Sequence, residues 1–480
     1  MMRAGIAILL ISVGVAGCNY RKNTDVEPNI DVPTTYSTGK EVPPPPTPPE
    51  KAEPIRDVRW WRHMGDPTLT VLIEEALRRN QSVRAGWARV NQSRYLANQV
   101  RAARLPQIGL SGSYTLGKQL FPGFGEIRQQ RGEGSLPVSY EVDLFARRAR
   151  EHQGAQLDAD AARLDQEALA ITISAEVAEA WFDSINARIE VAVVAEQLET
   201  DLKFLELVEL RYREGLNSAV DVHQQRQRVA SQRALLAQAE AQIDLTDQRL
   251  SVLLGEAPGR RFPVDGKVLP DVGPTPDIQA PASLLEARPD IKAFQTRVEA
   301  EDRRVAAAVG ARLPTISIDF TPSYTWLNSE TGATGEQSIY GWTWEAGGRF
   351  NVPLFDGIAG WSAIKAQRQV LVQLEEQYAE AILSGLIEVE SSLVLERQER
   401  LRIQYLEDEF RLANITLEAT RDRYRAGLSD FLPVLTALAT RQVSELQLVA
   451  ARRQLVSYRI QLYRALGGHW PEEFGEPEDE

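Results

Sequence analysis

The chain carries two copies of one long unit, and that duplication restricts its architecture more than any single motif. Ala103-Arg104-Leu105-Pro106 returns as Ala311-Arg312-Leu313-Pro314, 208 positions later. Arg211-Tyr212-Arg213-Glu214-Gly215-Leu216 returns as Arg423-Tyr424-Arg425-Ala426-Gly427-Leu428, 212 positions later, as does Leu254-Gly255 as Leu466-Gly467. A unit of about 210 residues is far longer than any solenoid repeat. The halves are therefore two intertwined parts of one body, and whatever one builds the other builds beside it.

The N-terminus points to export. Arg3 precedes an apolar run from Ala4 to Val13, then Val15-Ala16-Gly17-Cys18. The run is too short to span a bilayer and has the plan of a secretory signal. Small residues before the chain's one cysteine resemble a bacterial lipobox, in which the Cys18 thiol is acylated and becomes the mature N-terminus. The bland alternative is a plain signal peptide with an incidental cysteine. Asn19 rather than Asp follows, the pattern that goes with transfer to the outer membrane. A Pro-rich stretch, Pro43 to Pro49, then reads as an extended spacer.

No stretch of eighteen apolar residues exists, so a bundle of transmembrane helices is excluded. With net charge −13 and no basic block, nucleic acid is not a partner. One cysteine allows no internal disulfide. His63, His152, His223 and His469 are scattered, and no Ser/His/Asp, Cys/His, metal-ligand or P-loop constellation is present. The chain reads as no enzyme, with no cofactor and no metal.

Residues 146–212 contain no Pro, and only Gly154 interrupts a run rich in Ala, Leu, Glu, Gln and Arg. The second half has a matching run from Ser362 to Ala426, broken only by Gly385. Such a run makes a helix of roughly 100 Å, which persists only against other helices. Val229, Leu236, Ile243 and Leu250 are spaced by seven, with Ala239, Thr246 and Leu253 three further on. Leu448, Leu455 and Leu462, with Ala451, Tyr458 and Ala465, repeat that phase in the second half, which is coiled-coil spacing. A buried amphipathic bundle is the bland alternative. Between long helix and heptad helix, Gly215 and Gly427 suit left-handed C-caps, and Asn217 and Ser429, two residues further on, suit the N-caps of the next helices. Each half thus makes a helical hairpin with a tight tip. Leu216 and Leu428, exposed at the same place twice, become candidate contact residues.

Two pairs of strands remain. Ile108–Leu120 and Leu136–Phe145 flank a loop rich in Gly, Gln and Arg; Thr315–Leu327 and Tyr340–Leu354 flank a loop containing Asn328 to Gly332. Ile316, Ile318 and Phe320 alternate with Ser317, Asp319 and Thr321, and Tyr340, Trp342 and Trp344 with Gly341, Thr343 and Glu345. A soluble half-buried sheet alternates too. Export, an aromatic-rich apolar face and a charged opposite face favour a water-filled membrane barrel. Four strands per chain fall short of the minimum of about eight, and open edges are not tolerated in lipid. Neighbouring copies must then share one barrel: two give a filled barrel, three leave room for a pore.

Four stretches carry a family resemblance. They are Trp60-Trp61 with Asp66-Pro67, Leu69, Leu72-Ile73, Ala76-Leu77 and Asn80; Leu285-Glu286-Ala287-Arg288-Pro289-Asp290-Ile291; and the two Arg-Tyr-x-x-Gly-Leu tips. Together, over residues 55–470, they resemble the TolC-type outer-membrane efflux family, in its lipoprotein branch (OprM/NodT-like) serving RND tripartite pumps. The resemblance implies a mixed fold: a long α-helical coiled-coil barrel plus a transmembrane antiparallel β-barrel of twelve strands in a homotrimer. It implies a passive conduit for small molecules from periplasm to outside, opened by a periplasmic adaptor and energised by an inner-membrane RND transporter. The adaptor-contact tips carry over to Arg213, Gly215, Leu216, Arg425, Gly427 and Leu428. The family's acidic constriction falls on Asp422, with Glu418 as second candidate. The chain thus divides into a signal peptide (1–17), a lipidated Pro-rich segment (18–55), a first repeat (56–270), a second repeat (271–470) and an acidic tail (471–480). Its expected place is the Gram-negative outer membrane, lipid-anchored and reaching into the periplasm. Two rivals stand: a type I secretion channel of the same fold, and a non-conducting structural coiled-coil lipoprotein.

Overall fold

The computed structural model describes residues 33, 59–121, 125–264, 268–276, 287–331 and 335–467. Cys18, the Pro-rich segment, Leu285, Glu286, His469 and the acidic tail lie outside them. Helices α1 (Pro67–Arg79), α2 (Gln81–Ala102), α3 (Arg147–Arg213) and α4 (Ala219–Leu253) belong to the first half. Helices α5 (Pro289–Gly310), α6 (Ala359–Arg425) and α7 (Phe431–Ala465) belong to the second. The strands are β1 (Gln107–Ile108), β2 (Ser111–Phe121), β3 (Gly125–Ser135), β4 (Val138–Val142), β5 (Thr315–Thr331) and β6 (Gly335–Asn351). The duplicated helices match in length: α2 and α5 have 22 residues, α3 and α6 have 67, and α4 and α7 have 35.

Two compact units divide the described chain. One holds Arg89–Arg163 and Ala293–Ala379; the other holds Leu164–Lys292 and Glu380 onward, with the segment up to Ala88.

The first unit contains the sheet. Its order is β1-β4-β5-β3-β2, with β6 on the other side of β5. The small strands are pieces of longer ones. Gln107 faces Ser139 and Ser111 faces Ser135 in one unbroken register, and the same holds along β5. The ladder lapses only at Leu136-Pro137, because Pro137 has no N–H to give. Gly109 N–H still donates to Pro137 O (2.9 Å), and Leu136 N–H to Pro322 O (3.0 Å). The result is an antiparallel meander of four long strands, 107–121, 125–142, 315–331 and 335–351.

Strand limits differ from those the sequence pattern suggests. The stretch expected as a Gly-, Gln- and Arg-rich loop before Leu136 is β3, paired to β2 along its whole length. Asn328 to Thr331, expected in the second loop, pair with β6, which starts at Gly335 rather than Tyr340. Gly132 and Gly134 lie opposite Trp326 and Tyr324, and a Cβ on Gly132 would stand 3.5 Å from the Trp326 ring, an ordinary contact. Downstream, β4 stops at Val142 rather than Phe145. Asp143 turns the chain into α3, accepting from the Arg148 (3.1 Å) and Ala149 (2.7 Å) N–H groups.

The second unit explains the family-like opening segment as core. Trp60, Trp61, Leu69, Leu72, Ile73, Ala76 and Leu77 are all buried. Asp66 caps α1 through Thr68 N–H (2.8 Å) and accepts from Trp181 Nε1 (2.7 Å). The Arg-Pro-Asp-Ile motif is a clasp. Arg288, just before α5, donates to Ala465 O at the end of α7 (3.1 Å), to Glu388 (2.7 Å) and to Asp290 (2.7 Å). In the first half Asn80 holds the matching joint, donating to Leu253 O at the end of α4 (2.8 Å). Gly255 and Gly467 end those helices at φ +80° and +79°. A Cβ at either would fall 2.4 Å from Arg79 O or 2.5 Å from Arg288 Cγ, so only glycine fits. The interrupting Gly385 is likewise a site of close approach, to Ile291 and Arg288.

A second pair of joints is duplicated with its charges moved. In the first half Asp247 on α4 accepts from Arg188 (2.9 Å) and Ser184 (3.0 Å) on α3, while Arg188 reaches Phe262 O (3.2 Å). In the second half the place of Asp247 is taken by Arg459 on α7, and that of Ser184 by Glu396 on α6. Arg459 donates to Glu396 (2.6 Å), Val272 O (2.6 Å) and Pro274 O (3.0 Å). Arg400, the counterpart of Arg188, also pairs with Glu396 (3.0 Å).

Candidate functional site

Both hairpin tips lie in the second unit. Each is a Schellman turn. Leu216 N–H donates to Arg211 O (2.8 Å) and Gly215 N–H to Tyr212 O (3.0 Å); Leu428 and Gly427 repeat the pattern on Arg423 and Tyr424. Gly215 and Gly427 sit at φ +72° and +73°, which side chains resist. In such a turn the residue after the glycine often packs back on its helix. Here it does not: Leu216 is 66% exposed and Leu428 71%. Arg213 and Arg425 are exposed as well. Each tip therefore presents one apolar and one cationic side chain outward on a rigid turn.

The tips are not equivalent. Tyr212 is 47% exposed, whereas Tyr424 is buried to 2%. Tyr424 Oη donates to Asn217 Oδ1 of the other tip (2.9 Å), and the Arg211 guanidinium lies 4.4 Å from its ring centre. Tyr424 packs with Phe431, Val434, Val208 and Val222 in one apolar cluster. Asn217 is free for that role because Ser218 caps α4, in a capping box with Asp221. The repeat marks Arg211, Tyr424 and Asn217 as tip residues, but not that they join the hairpins.

Above the tips lies a buried polar layer that the sequence analysis did not single out. Asp201 on α3 is fully buried. It accepts from Arg228 (3.3 Å) and Gln442 (3.3 Å), and Gln225 donates to its backbone carbonyl (2.8 Å). Gln197 reaches Glu445 (2.8 Å), and Gln232 reaches Gln442 (3.0 Å). Gln225 and Gln232 occupy the seam position of Ala239 and Thr246, so the heptad itself contains the signal. Burial pushes the Asp201 carboxyl up from the ordinary value, against the opposing pull of Arg228, Gln442 and Gln225.

Asp422 and Glu418 both lie on the exposed surface of α6 within the last two turns before Gly427. Glu418 pairs with Arg421, and Asp422 stands 4.0 Å from the same guanidinium. Neither is brought to the tip cluster. Among the described residues no group of three or more His, Cys, Asp or Glu side chains is placed to hold a metal ion.

The sheet, in the first unit, is a separate candidate site. Along β5, Ile316, Ile318, Phe320, Pro322, Tyr324 and Trp326 share one face, opposite Phe350, Trp344, Trp342 and Tyr340 of β6. The other face carries Glu141, Ser317, Arg349, Asp319 and Glu345. The apolar stretch from Ile316 to Trp326 matches the roughly 9–11 residues with which a tilted strand crosses a bilayer. Among the described residues both outer strands keep an open edge: β2 pairs only with β3, and β6 only with β5.

An aromatic-faced, charged-backed sheet joined to helices of this length defines an outer-membrane channel fold with a periplasmic coiled-coil section. The family model described as "Outer membrane efflux protein" matches residues 72–256 and 280–468, and the chain belongs to that family. Among relatives, the pyoverdine export outer membrane protein OpmQ of Pseudomonas putida is 29% identical over 88% of this chain and 90% of its own. Outer membrane protein OprJ of Pseudomonas aeruginosa is 25% identical over 98% and 96%. The structure of the outer-membrane channel OprN superposes with TM-score 0.80 at 24% identity, covering 92% of this chain and 99% of that one. The open state of the Neisseria gonorrhoeae MtrE channel gives TM-score 0.76 at 20%, covering 92% and 97%. The chain is thus an outer-membrane efflux channel, and its relatives include the probable outer membrane lipoprotein SilC of Salmonella typhimurium. It resides in the outer membrane of a Gram-negative bacterium and extends into the periplasm. It is a conduit and not an enzyme.

Proposed function

We propose that three copies of this chain close one twelve-strand barrel and continue it as a helical tunnel. The open edges of β2 and β6 carry this reading, since unpaired backbone in lipid costs several kcal/mol per group. A third copy leaves a lumen, lined by the charged faces of the strands. Small molecules pass through it passively; relatives include a pyoverdine exporter and the toluene efflux pump protein TtgF of Pseudomonas putida.

A periplasmic adaptor takes the tips, with Leu216 and Leu428 as apolar anchors, Arg213 and Arg425 as charged flanks, and Gly215 and Gly427 fixing the turn. An inner-membrane RND transporter supplies the energy. Opening twists the second hairpin away from the first, parting Tyr424 from Asn217 and loosening the Asp201 layer. The closed pore narrows at Asp422, with Glu418, where like charges from three copies keep the closed state only modestly favoured. Cys18, acylated, anchors the mature chain.

The test of docking is the double variant Leu216→Asp with Leu428→Asp, in cells that supply the adaptor and transporter. Dye export falls to the level of a channel-deleted strain while trimer abundance stays normal; unchanged export removes the tips from docking. Cys18→Ala abolishes incorporation of labelled palmitate, and label persisting on the variant rejects that anchor.

A further inference from the structure

In the first unit a cavity of about 900 Å³ opens between α2, α3 and α5, and its chemistry is opposite to that of the chain. The whole protein carries net charge −13. The cavity is lined by Arg94, Arg101, Arg303 and His152, with Asp160 as the carboxylate among its described lining residues. Arg94 donates to Asn91 Oδ1 (3.1 Å), and Arg303 has a long contact to its neighbour Asp302 (3.9 Å). Arg101 makes no hydrogen bond or ion pair among the described residues. His152 is only 8% exposed and has no hydrogen-bond partner among them either. Its ring nitrogens are not sealed from the surrounding space, so they remain available to a ligand. Here it lies on the wall of a space large enough for a ligand.

We infer that this cavity is a binding site for a phosphate group, presented by an anionic phospholipid headgroup or by a free phosphate. Guanidinium groups match phosphate oxygens in geometry and charge, and converging ones hold the anion by charge-assisted hydrogen bonds. Burial, and then the charges of Arg104 and Arg101, hold the His152 imidazole below its ordinary pKa. Those influences disfavour the charged imidazole, and the neutral ring still offers one donor nitrogen to an anion. Position favours the lipid source. Arg101 lies in the last turn of α2, a few residues before β1, and His152 in the second turn of α3, shortly after β4. The same chain ends expose Leu105, Ile108, Leu144, Phe355 and Trp361, the kind of apolar and aromatic girdle that marks a membrane boundary. A basic pocket just beyond such a girdle is at headgroup depth.

The experiment titrates the purified full-length protein in detergent with dihexanoyl phosphatidylglycerol, inorganic phosphate and, lacking phosphate, dihexanoyl glycerol. Affinity is read by calorimetry and the imidazole by NMR, where the chain has only four histidines. His152→Ala assigns the resonance. Phosphatidylglycerol binding shifts that resonance and raises its titration midpoint, and Arg101→Gln with Arg303→Gln weakens binding at least about tenfold. Arg226→Gln, remote in sequence and paired with Glu209, leaves it unchanged. Should the double variant not fold, Arg101→Gln alone, at an exposed helix position, gives the same reading. Phosphatidylglycerol binding without inorganic phosphate assigns a headgroup site; equal binding of both assigns a free-phosphate site. The inference is overturned if neither phosphate probe moves His152, if dihexanoyl glycerol moves it as far, or if the arginine variants bind normally.

Discussion

Glu396 shows what a single buried side chain does here. It is 1% exposed and held between Arg459 and Arg400. Burial alone would raise its carboxyl, but hydrogen bonds and charge from Arg459 and Arg400 outweigh it and keep it below the ordinary glutamate value. A carboxyl held down in this way contributes stability that is fully present above its unfolded pKa of about 4.3. That stability disappears as pH falls through the lower folded value. Glu396→Gln leaves two arginines without a counter-charge, so it costs about 3–5 kcal/mol at neutral pH. It also flattens the acid limb of the stability curve. Thermal melting of the detergent-solubilised protein from pH 7 to pH 3 reads both effects. Neither Glu396 nor its partners stand out in the sequence, because charged residues on a long helix usually face water. The pattern names the residues of a seam but not the rare charges that cross it.

At the level of elements, the two faces of the sheet give opposite predictions from adjacent positions. Trp342 lies on the apolar face opposite Tyr324, and Thr343 on the polar face, its hydroxyl 2.9 Å from that of Ser323. Trp344→Arg, on the same apolar face opposite Pro322 and beside the middle of the Ile316–Trp326 stretch, costs about 2–4 kcal/mol and lowers the amount of protein in the outer membrane. Thr343→Arg leaves that amount unchanged and shifts reversal potentials in planar bilayers towards anions. The helices were legible because their duplicated lengths and heptad phase are written in Leu, Ala and Val. The strands were legible only where aromatic or β-branched residues alternate. Gly125–Ser135 reads as a loop, since a strand rich in Gly, Gln and Arg lacks the apolar alternation that marks its neighbours. The tips were legible as turns. Their asymmetry was not, because it depends on which tyrosine meets Asn217 across space.

For the whole molecule, four strands with two open edges make a lone subunit in lipid untenable. Mass measured in detergent by light scattering, corrected for bound detergent, equals three chains; the mass of one chain rejects the shared barrel. The duplicated joints add a separate constraint on how each subunit assembles. Were α7 to take the place of α4 at the first joint, Arg459 would face Arg188 with Ser184 standing where the second joint has Glu396. Were α6 to settle against α4, Glu396 and Asp247 would share one arginine. A newly made chain therefore has two near-identical hairpins but only one electrically balanced way to pair their legs. The relocated carboxylate acts as a key that keeps sibling helices from trading places.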